Sequence, residues 1–207
     1  MTDQVTADYN RRCSGGDRLL LESMSRAELP SALAASMRGR FLPRPFFIDR
    51  DKILGFCAKV QELFDLMLSI PDRFYDGDRE RYALAVGMDA RRAGYLARYT
   101  DRPELYGRAD LYHDGGSLRL LELNVGSALG GMDRAQICSA LLEVDAFGSF
   151  AADHGLRFVD TGKQVEIALR AAARPVTGGA APVVGFVDAN GAMAPYLHLA
   201  RSFQEML

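Results

Sequence analysis

Two short runs of alternating apolar and polar residues, joined by a glycine-containing turn, constrain this chain more than any other feature. They cover residues 105–113 and 118–125, and the turn between them contains Gly115 and Gly116. Alternation with a period of two is typical of a β-strand with one buried face. The sequence therefore predicts a hairpin that is apolar on one face and polar on the other.

The hydrophobic pattern also predicts the register of the two strands. With the turn centred on Gly116, in a loop of three or five residues, every apolar side chain faces an apolar partner. A shift of one residue would place leucines among charges, which a half-buried sheet disfavours. The predicted cross-strand pairs are Arg108–Asn124, Ala109–Leu123, Asp110–Glu122 and Leu111–Leu121.

The polar face of this hairpin gathers groups that suit a magnesium ion. The carboxylates of Asp110 and Glu122 would face each other at a Cβ separation of about 5 Å, where they repel unless a positive charge lies between them. That charge is either the Arg108 guanidinium or a divalent cation, to which Asn124 would add a neutral oxygen. Magnesium bound to ATP fits the set, with the arginine stabilising the transferred group. An ordinary hairpin with a solvated charged face is the alternative that these residues leave open.

The composition is typical of a globular protein and carries no sign of nucleic-acid or membrane binding. Of the 207 residues 48% are hydrophobic and 25% are charged, and the net charge is -2. No basic stripe, polybasic run or apolar stretch of about 20 residues occurs in the sequence. The odd number and wide spacing of the three cysteines argue against a disulfide framework or a zinc site, so the expected compartment is the cytoplasm. Cys57 and Cys138 fall within apolar helical patterns, which predicts buried thiols.

Helical patterns flank the hairpin on both sides. Residues 1–16 are polar and end in Ser-Gly-Gly, which predicts a loose leader. Prolines keep residues 41–48 extended, and Asp49 then begins a strong amphipathic helix that ends near Pro71. The other predicted helices cover about 17–37 with a break at Pro30, 78–86, 90–98, 132–144, 163–173 and 193–207.

The last part of the chain predicts the opening of an α/β unit. After a linker at 173–182, Val183–Asp188 has the pattern of a short buried strand, and a helix follows it. A lone strand and helix cannot bury both faces of a sheet, so we expect the chain to be a fragment that stops inside this unit. A short natural domain with a docked C-terminal helix is the alternative.

The polar residues of the hairpin resemble the metal-binding end of the ATP-grasp ligases. That family typically has an Arg-x-Asp strand, a turn with Asp or Gly, and a strand that ends in Glu-x-Asn. Here the pattern stands as Arg108-Ala-Asp110 and Glu122-Leu-Asn124, with a glycine-rich stretch after it. The motif lies in mid-chain and is followed by a new strand and helix, an order similar to that of the circularly permuted ATP-grasp family, the glutathionylspermidine synthase type.

This resemblance implies a mixed fold, α+β with an α/β element. A helical N-terminal part at 1–40 would precede a partial ATP-grasp-like domain at 41–172, which holds the antiparallel strand pair of an ATP-grasp-type sheet. Residues 183–207 would begin a pre-ATP-grasp α/β segment.

The same resemblance implies an ATP-dependent carboxylate–amine ligase. ATP would phosphorylate a carboxylate, and an amine would displace phosphate from the acyl phosphate to form an amide. Asp110, Glu122 and Asn124 would hold Mg²⁺, and Arg108 would steady the phosphoryl group. In the following loop, Gly126, Gly130 and Gly131 would let backbone amides approach the ATP phosphates, although a flexible turn explains these glycines equally well.

Few lysines are available for a nucleotide site. Lys52, Lys59 and Lys163 are the three lysines of the sequence, and none resembles a nucleotide-clamping lysine. We therefore expect half of an active site, inactive alone, whose partners are a small-molecule carboxylate and amine together with the downstream part of the same protein or another copy of the chain. The alternative is a non-catalytic partner module that docks another chain through its C-terminal helix.

Overall fold

The computed structural model describes residues 2–37, 39–98, 107–125, 131, 133–185, 187, 191, 194 and 197–206. These residues form a mixed α+β structure in which helices accompany a two-stranded antiparallel sheet. They divide into two compact units, one from the described parts of 1–47 and 127–207, the other from those of 48–126. The predicted domains at 1–40, 41–172 and 183–207 follow a different division and stay predictions.

In chain order the elements are α1 (Thr2–Ser14), α2 (Arg18–Leu21), α3 (Ser23–Arg26), α4 (Ser31–Met37), α5 (Arg50–Leu68), α6 (Ile70–Phe74), α7 (Arg79–Ala85), α8 (Ala90–Leu96), β1 (Gly107–His113), β2 (Leu118–Val125), α9 (Arg134–Leu142), α10 (Asp145–Asp153), α11 (Thr161–Thr177) and α12 (Leu197–Met206). Residues 41–48 are not helical, as predicted from their prolines.

Aspartate side chains begin several of these helices. The predicted cap Asp49 accepts hydrogen bonds from the backbone N–H groups of Asp51 and Lys52, at 3.1 and 3.2 Å. This satisfies two of the four N–H groups that a helix leaves without a partner at its first turn. Within the described residues the same arrangement begins α2, α7, α8 and α11, at Asp17, Asp78, Asp89 and Asp160.

The N-terminal residues form a packed helix, so the prediction of a loose leader at 1–16 is wrong. Val5 and Tyr9 of α1 are 8% and 3% exposed and belong to the core of the first unit. Tyr9 packs edge-on against Phe150 with ring centroids 5.4 Å apart, and its hydroxyl donates to the Leu20 carbonyl. Two apolar side chains one turn apart were sufficient to anchor a helix that is otherwise polar. The other buried members of this core are Leu20, Leu141, Phe147, Phe150 and Ala151.

The helices after the hairpin differ from the predicted ones in number and length: α9 and α12 are shorter than predicted, α11 is longer, and α10 was not predicted. Between the predicted helices lies α10, whose Gly148 comes so near α9 that an added Cβ would stand 2.6 Å from the Leu142 carbonyl oxygen. Helix α11 continues through Pro175 to Thr177, so the predicted linker begins at Gly178. Pro175 lies inside this helix, where it has no N–H to donate to the Ala171 carbonyl.

The predicted strand at Val183–Asp188 is wrong for the residues that the structure describes. Residues 183–185 and 187 are neither strand nor helix, and Val183 and Val187 are fully exposed. Phe186 and Asp188 lie outside the described residues. Helix α12 follows as predicted from Leu197 onward, and its Phe203 is 4% exposed. An apolar run of this kind forms a strand only where a neighbouring strand pairs with it.

Few of the described side chains of the second unit are buried. Helices α7 and α8 pack together through Ala83 and Ala93, both fully buried, whereas none of the nineteen residues of α5 is buried. Cys57 of α5 is exposed, as is Cys138 of α9, so the prediction of buried thiols is wrong. Both cysteines lie on helices as predicted, but among the described residues nothing covers either side chain. Among the described residues, no helix has the length and apolar character needed to cross a bilayer.

Candidate metal site on the hairpin

The register of the hairpin is the predicted one at the end away from the turn. Strands β1 and β2 are antiparallel, with Arg108 opposite Asn124 and Asp110 opposite Glu122. Ala109 faces Leu123 between these two polar pairs. The hydrophobic pattern therefore predicted correctly which polar residues the two strands bring side by side.

Nearer the turn the predicted register is wrong by one residue. Leu111 faces Leu120 rather than Leu121, and His113 faces Leu118. The loop therefore has four residues, not three or five, and the ladder is irregular between Asp110 and Leu111. Leu121 is the extra residue, a β-bulge, and it is 69% exposed. The apolar face thus contains Leu120 in the place predicted for Leu121.

Asp114 determines the four-residue loop. One carboxylate oxygen, Oδ1, accepts hydrogen bonds from the backbone N–H groups of Gly116 and Ser117 at 2.9 and 2.8 Å. The other, Oδ2, accepts from Nε of Arg119 at 2.9 Å. These donors hold the pKa of Asp114 well below its usual range, the two backbone N–H groups having the largest effect. A side chain that organises its own turn in this way is common for aspartate, but the sequence alone did not reveal which loop length it would select.

The polar face joins an arginine to one of the two facing carboxylates. Arg108 Nε donates to Asp110 Oδ1 at 2.8 Å, and Nη2 lies 3.5 Å from Oδ2. Their side chains are 44% and 41% exposed, so this ion pair adds only about 0–1 kcal/mol to stability. A carboxylate has about four lone-pair positions, so Asp110 can accept from Arg108 and still offer an oxygen to a cation.

Asn124, which faces Arg108, has the most deeply buried amide group of the four polar residues. Its Nδ2 atom is buried and has no hydrogen-bond partner among the described residues. The two ends of an asparagine amide are assigned from their hydrogen bonds, so an amide nitrogen that lacks an acceptor marks a position where the oxygen fits equally well. With the amide turned over, a buried oxygen would need a donor or a cation. Two facing carboxylate groups and one amide oxygen are the types of ligand that magnesium takes.

The remaining predicted site residues are only partly described. Gly126 and Gly130 lie outside the described residues. Gly131 has φ +89°, a value that favours glycine, and its carbonyl accepts a hydrogen bond from Thr161 Oγ1 at 3.2 Å. It belongs to the unit that contains α9 and α11. Within the described part of the chain no three His, Cys, Asp or Glu side chains lie close enough together to form a metal site by themselves.

Comparison with family models, with curated proteins and with solved structures gave no match to this chain.

Proposed function

We propose that the hairpin is the magnesium- and phosphate-binding element of an ATP-dependent carboxylate–amine ligase of the circularly permuted ATP-grasp type. The observation that carries the proposal is the register, since it sets Asp110 opposite Glu122 and Arg108 opposite Asn124. The same four residue types at the same positions along two strands form the motif that the chain resembles. Magnesium, when bound, would bridge phosphate oxygens and neutralise the charge that develops on them.

Each side chain has a separate task in this proposal. Asp110 and Glu122 supply carboxylate oxygens, and their mutual repulsion in this register is relieved by the cation. Asn124 supplies an amide oxygen from the inner end of the set. Arg108, which lies within hydrogen-bonding distance of Asp110, would turn part of its five-donor guanidinium toward the transferred phosphoryl group.

The proposal is tested by metal binding to the chain as it stands. Mn²⁺ serves as the probe for Mg²⁺, because its electron paramagnetic resonance signal falls when it binds. We expect one site, whose affinity falls at least about tenfold when Asp110→Asn and Glu122→Gln are combined, since the cation then loses both charged ligands. The matched control is Glu62→Gln with Glu80→Gln, which removes two exposed carboxylates of the same unit. Equal losses in the two double variants would contradict the site.

Nucleotide binding tests the second part of the proposal. A longer chain that contains this hairpin together with lysine-bearing strands should bind ATP only with Mg²⁺ present, and Arg108→Gln should weaken ATP binding without removing the Mn²⁺ site. We expect the two kinds of binding to respond separately, because the arginine would contact phosphate whereas the carboxylates would contact the metal. ATP binding that is indifferent to Mg²⁺ and to all four residues would show that the nucleotide lies elsewhere.

A non-catalytic partner module is the second candidate, and one observation favours it. The apolar side chains of α5 are not covered: Leu54, Leu66 and Met67 are 53%, 50% and 46% exposed. The C-terminal helix, by contrast, is a poor docking surface, because Phe203 of its apolar side is buried within its own unit. If the Mn²⁺ experiment shows no site and the chain captures a partner through α5, this candidate replaces the ligase.

A further inference from the structure

The edge of β1 that faces away from β2, called the β1 edge below, has no strand beside it among the described residues. The described sheet has two strands, so each strand pairs along one side only. No residue of either strand is fully buried, and no described helix packs against the hairpin as extensively as α7 packs against α8. A two-stranded hairpin is marginal in water unless further strands or a helix cover it.

The two open edges of the hairpin differ in regularity. Strand β2 contains the bulge at Leu121, which interrupts its ladder, and a bulge discourages pairing with another chain. Strand β1 runs without an inserted residue from Gly107 to His113 and contains no proline. A regular strand edge presents a row of N–H and C=O groups to which another strand can pair. The β1 edge is therefore the one that suits a further strand.

The charges of β1 match those of a second β1 that lies antiparallel to it. A two-fold axis through Ala109 would place Arg108 of each copy opposite Asp110 of the other. Opposite charges that face each other across two strands stabilise the pair. Within one chain Arg108 Nε is already 2.8 Å from Asp110 Oδ1, so positive and negative groups would alternate among the four side chains.

Other positions of the axis lose this match. An axis through Arg108 would set two guanidinium groups opposite each other, and an axis through Asp110 would do the same with two carboxylates. An axis through Leu111 would leave Asp110 opposite Tyr112, without a charge pair inside the strands. An axis between two residues would place charged side chains on the apolar face of the other copy, which a half-buried sheet disfavours. The charge pattern therefore favours the axis through Ala109.

We infer that the β1 edge pairs with the same edge of a second copy of this chain, so that two hairpins form one continuous four-stranded sheet. Such a contact is isologous, since the same surface serves both copies. The pairing would satisfy backbone groups of residues 107–111 and join the half-buried apolar faces of the two hairpins. It does not depend on the magnesium proposal, because its charges are matched without a metal.

Sedimentation velocity of the whole chain, with EDTA present to remove divalent metals, tests this inference. We expect a reversible dimer with a dissociation constant of about 1–100 µM, since the contact covers only residues 107–111 of each copy. Arg108→Asp and Asp110→Arg should each weaken the dimer at least about tenfold, because like charges then face each other. An equimolar mixture of the two variant chains should dimerise again. The ion pair within each variant chain stays broken, so this recovery reports pairing between chains.

Matched controls make the same charge changes elsewhere in the second unit. Arg91→Asp and Glu62→Arg alter exposed side chains of α8 and α5. Each should dimerise as the unmodified chain does, and mixing the two should have no effect.

A crosslink tests the axis without changing any charge. Ala109→Cys is made in a chain whose exposed Cys57 and Cys138 are replaced by serine. Facing residues of antiparallel strands have Cα atoms about 4.5–5.5 Å apart, which a disulfide can bridge. Mild oxidation should therefore link the two copies. Tyr112→Cys in the same background should not be linked, since its two copies would lie about 20 Å apart.

Four results would overturn the inference: a chain that stays monomeric up to about 1 mM, a dimer indifferent to both charge variants, a mixture of variants that stays monomeric, or crosslinking through Tyr112→Cys in preference to Ala109→Cys. If either charge variant does not fold, the crosslink decides. Mn²⁺ binding by a chain that stays monomeric would leave the magnesium proposal standing, so the two proposals can fail separately.

Discussion

Asp114 shows how one side chain can decide the shape of a hairpin. Its carboxylate collects two backbone N–H groups and the Arg119 guanidinium, and these donors fix a four-residue loop between the strands. The sequence indicated a turn here from its glycines, but the loop length depends on hydrogen bonds made in the folded state. That is why the predicted three- or five-residue loop is wrong while the strands themselves are confirmed.

The lowered pKa of Asp114 gives the hairpin a predictable response to acid. The folded pKa lies below the ordinary value of 3.8, so the charged form favours the folded loop. This stabilisation is complete above pH 3.8 and is lost as the pH falls toward the folded pKa. We expect the protection factors of the β1 and β2 amides, which correct exchange rates for their intrinsic pH dependence, to fall on acidification, and Asp114→Asn to remove most of that dependence. Asp145→Asn, which removes an exposed carboxylate at the start of α10, is the control. A pH profile of Asp114→Asn identical to that of the unmodified chain would refute the prediction.

Tyr9 predicts the opposite response, at alkaline pH. Burial, the largest cause, raises the pKa of Tyr9 from 10.0 to about 12. The neutral phenol favours the folded state, so this stabilisation is complete below pH 10 and is lost as the pH rises through about 12. Tyr9→Phe should reduce the fall in the free energy of unfolding across that range, measured by urea unfolding.

At neutral pH the same substitution should lower the free energy of unfolding by about 1 kcal/mol, because the Leu20 carbonyl loses a donor. Tyr112→Phe is the control, since Tyr112 is 53% exposed and its hydroxyl should contribute little. A chain with Tyr9→Phe that loses stability in alkali as steeply as the unmodified chain would mean that another group titrates there.

At the scale of elements, the bulge makes two adjacent leucines unequal. Leu120 faces Leu111 on the half-buried side of the hairpin, whereas Leu121 is 69% exposed. Leu120→Thr should lower the stability of the hairpin by about 1 kcal/mol, because it removes apolar surface that is partly buried. Leu121→Thr should change it by less than about 0.5 kcal/mol. Amide exchange of β1 and β2 measures both effects. A larger loss of stability in Leu121→Thr than in Leu120→Thr would support the register without a bulge.

The elements show which parts of a fold local patterns can predict. Helix α5, with its aspartate cap and clear period, was predicted with its first residue, because both signals lie within one segment. Helix α1 was predicted as a loose leader, because what orders it is Phe150 and Leu20 from distant parts of the chain. The predicted strand at 183–188 was wrong for the converse reason, since no neighbouring strand among the described residues pairs with residues 183–185.

The same distinction applies to the candidate sites. The polar set of the hairpin could be predicted because its members are joined by one turn, and period and register then place them together. The burial of the Asp133 side chain could not be predicted in this way, since an aspartate before a helical pattern predicts an exposed cap, and only the folded backbone shows that its carboxylate caps nothing. Its burial depends on elements that the sequence pattern does not connect.

At the scale of the whole molecule, stability is distributed unevenly. The first unit contains the aromatic core around Phe150, whereas α5 of the second unit buries none of its nineteen residues. In proteins most of the stability of a helix comes from tertiary packing of its apolar face. We expect the amides of α5 to exchange much faster than those of α1 and α10 when hydrogen exchange is followed by mass spectrometry. Equal protection in α5 and α10 would show that a partner or another copy covers α5.

The bulge at Leu121 has a consequence for how this hairpin can change during evolution. It lies between the loop and the facing pair Asp110 and Glu122, so a one-residue insertion or deletion near the turn can be absorbed there. Deleting Leu121 itself would leave a continuous ladder with the same four-residue loop. The loop can therefore change in length and sequence during evolution while Asp110 and Glu122 keep their positions opposite each other.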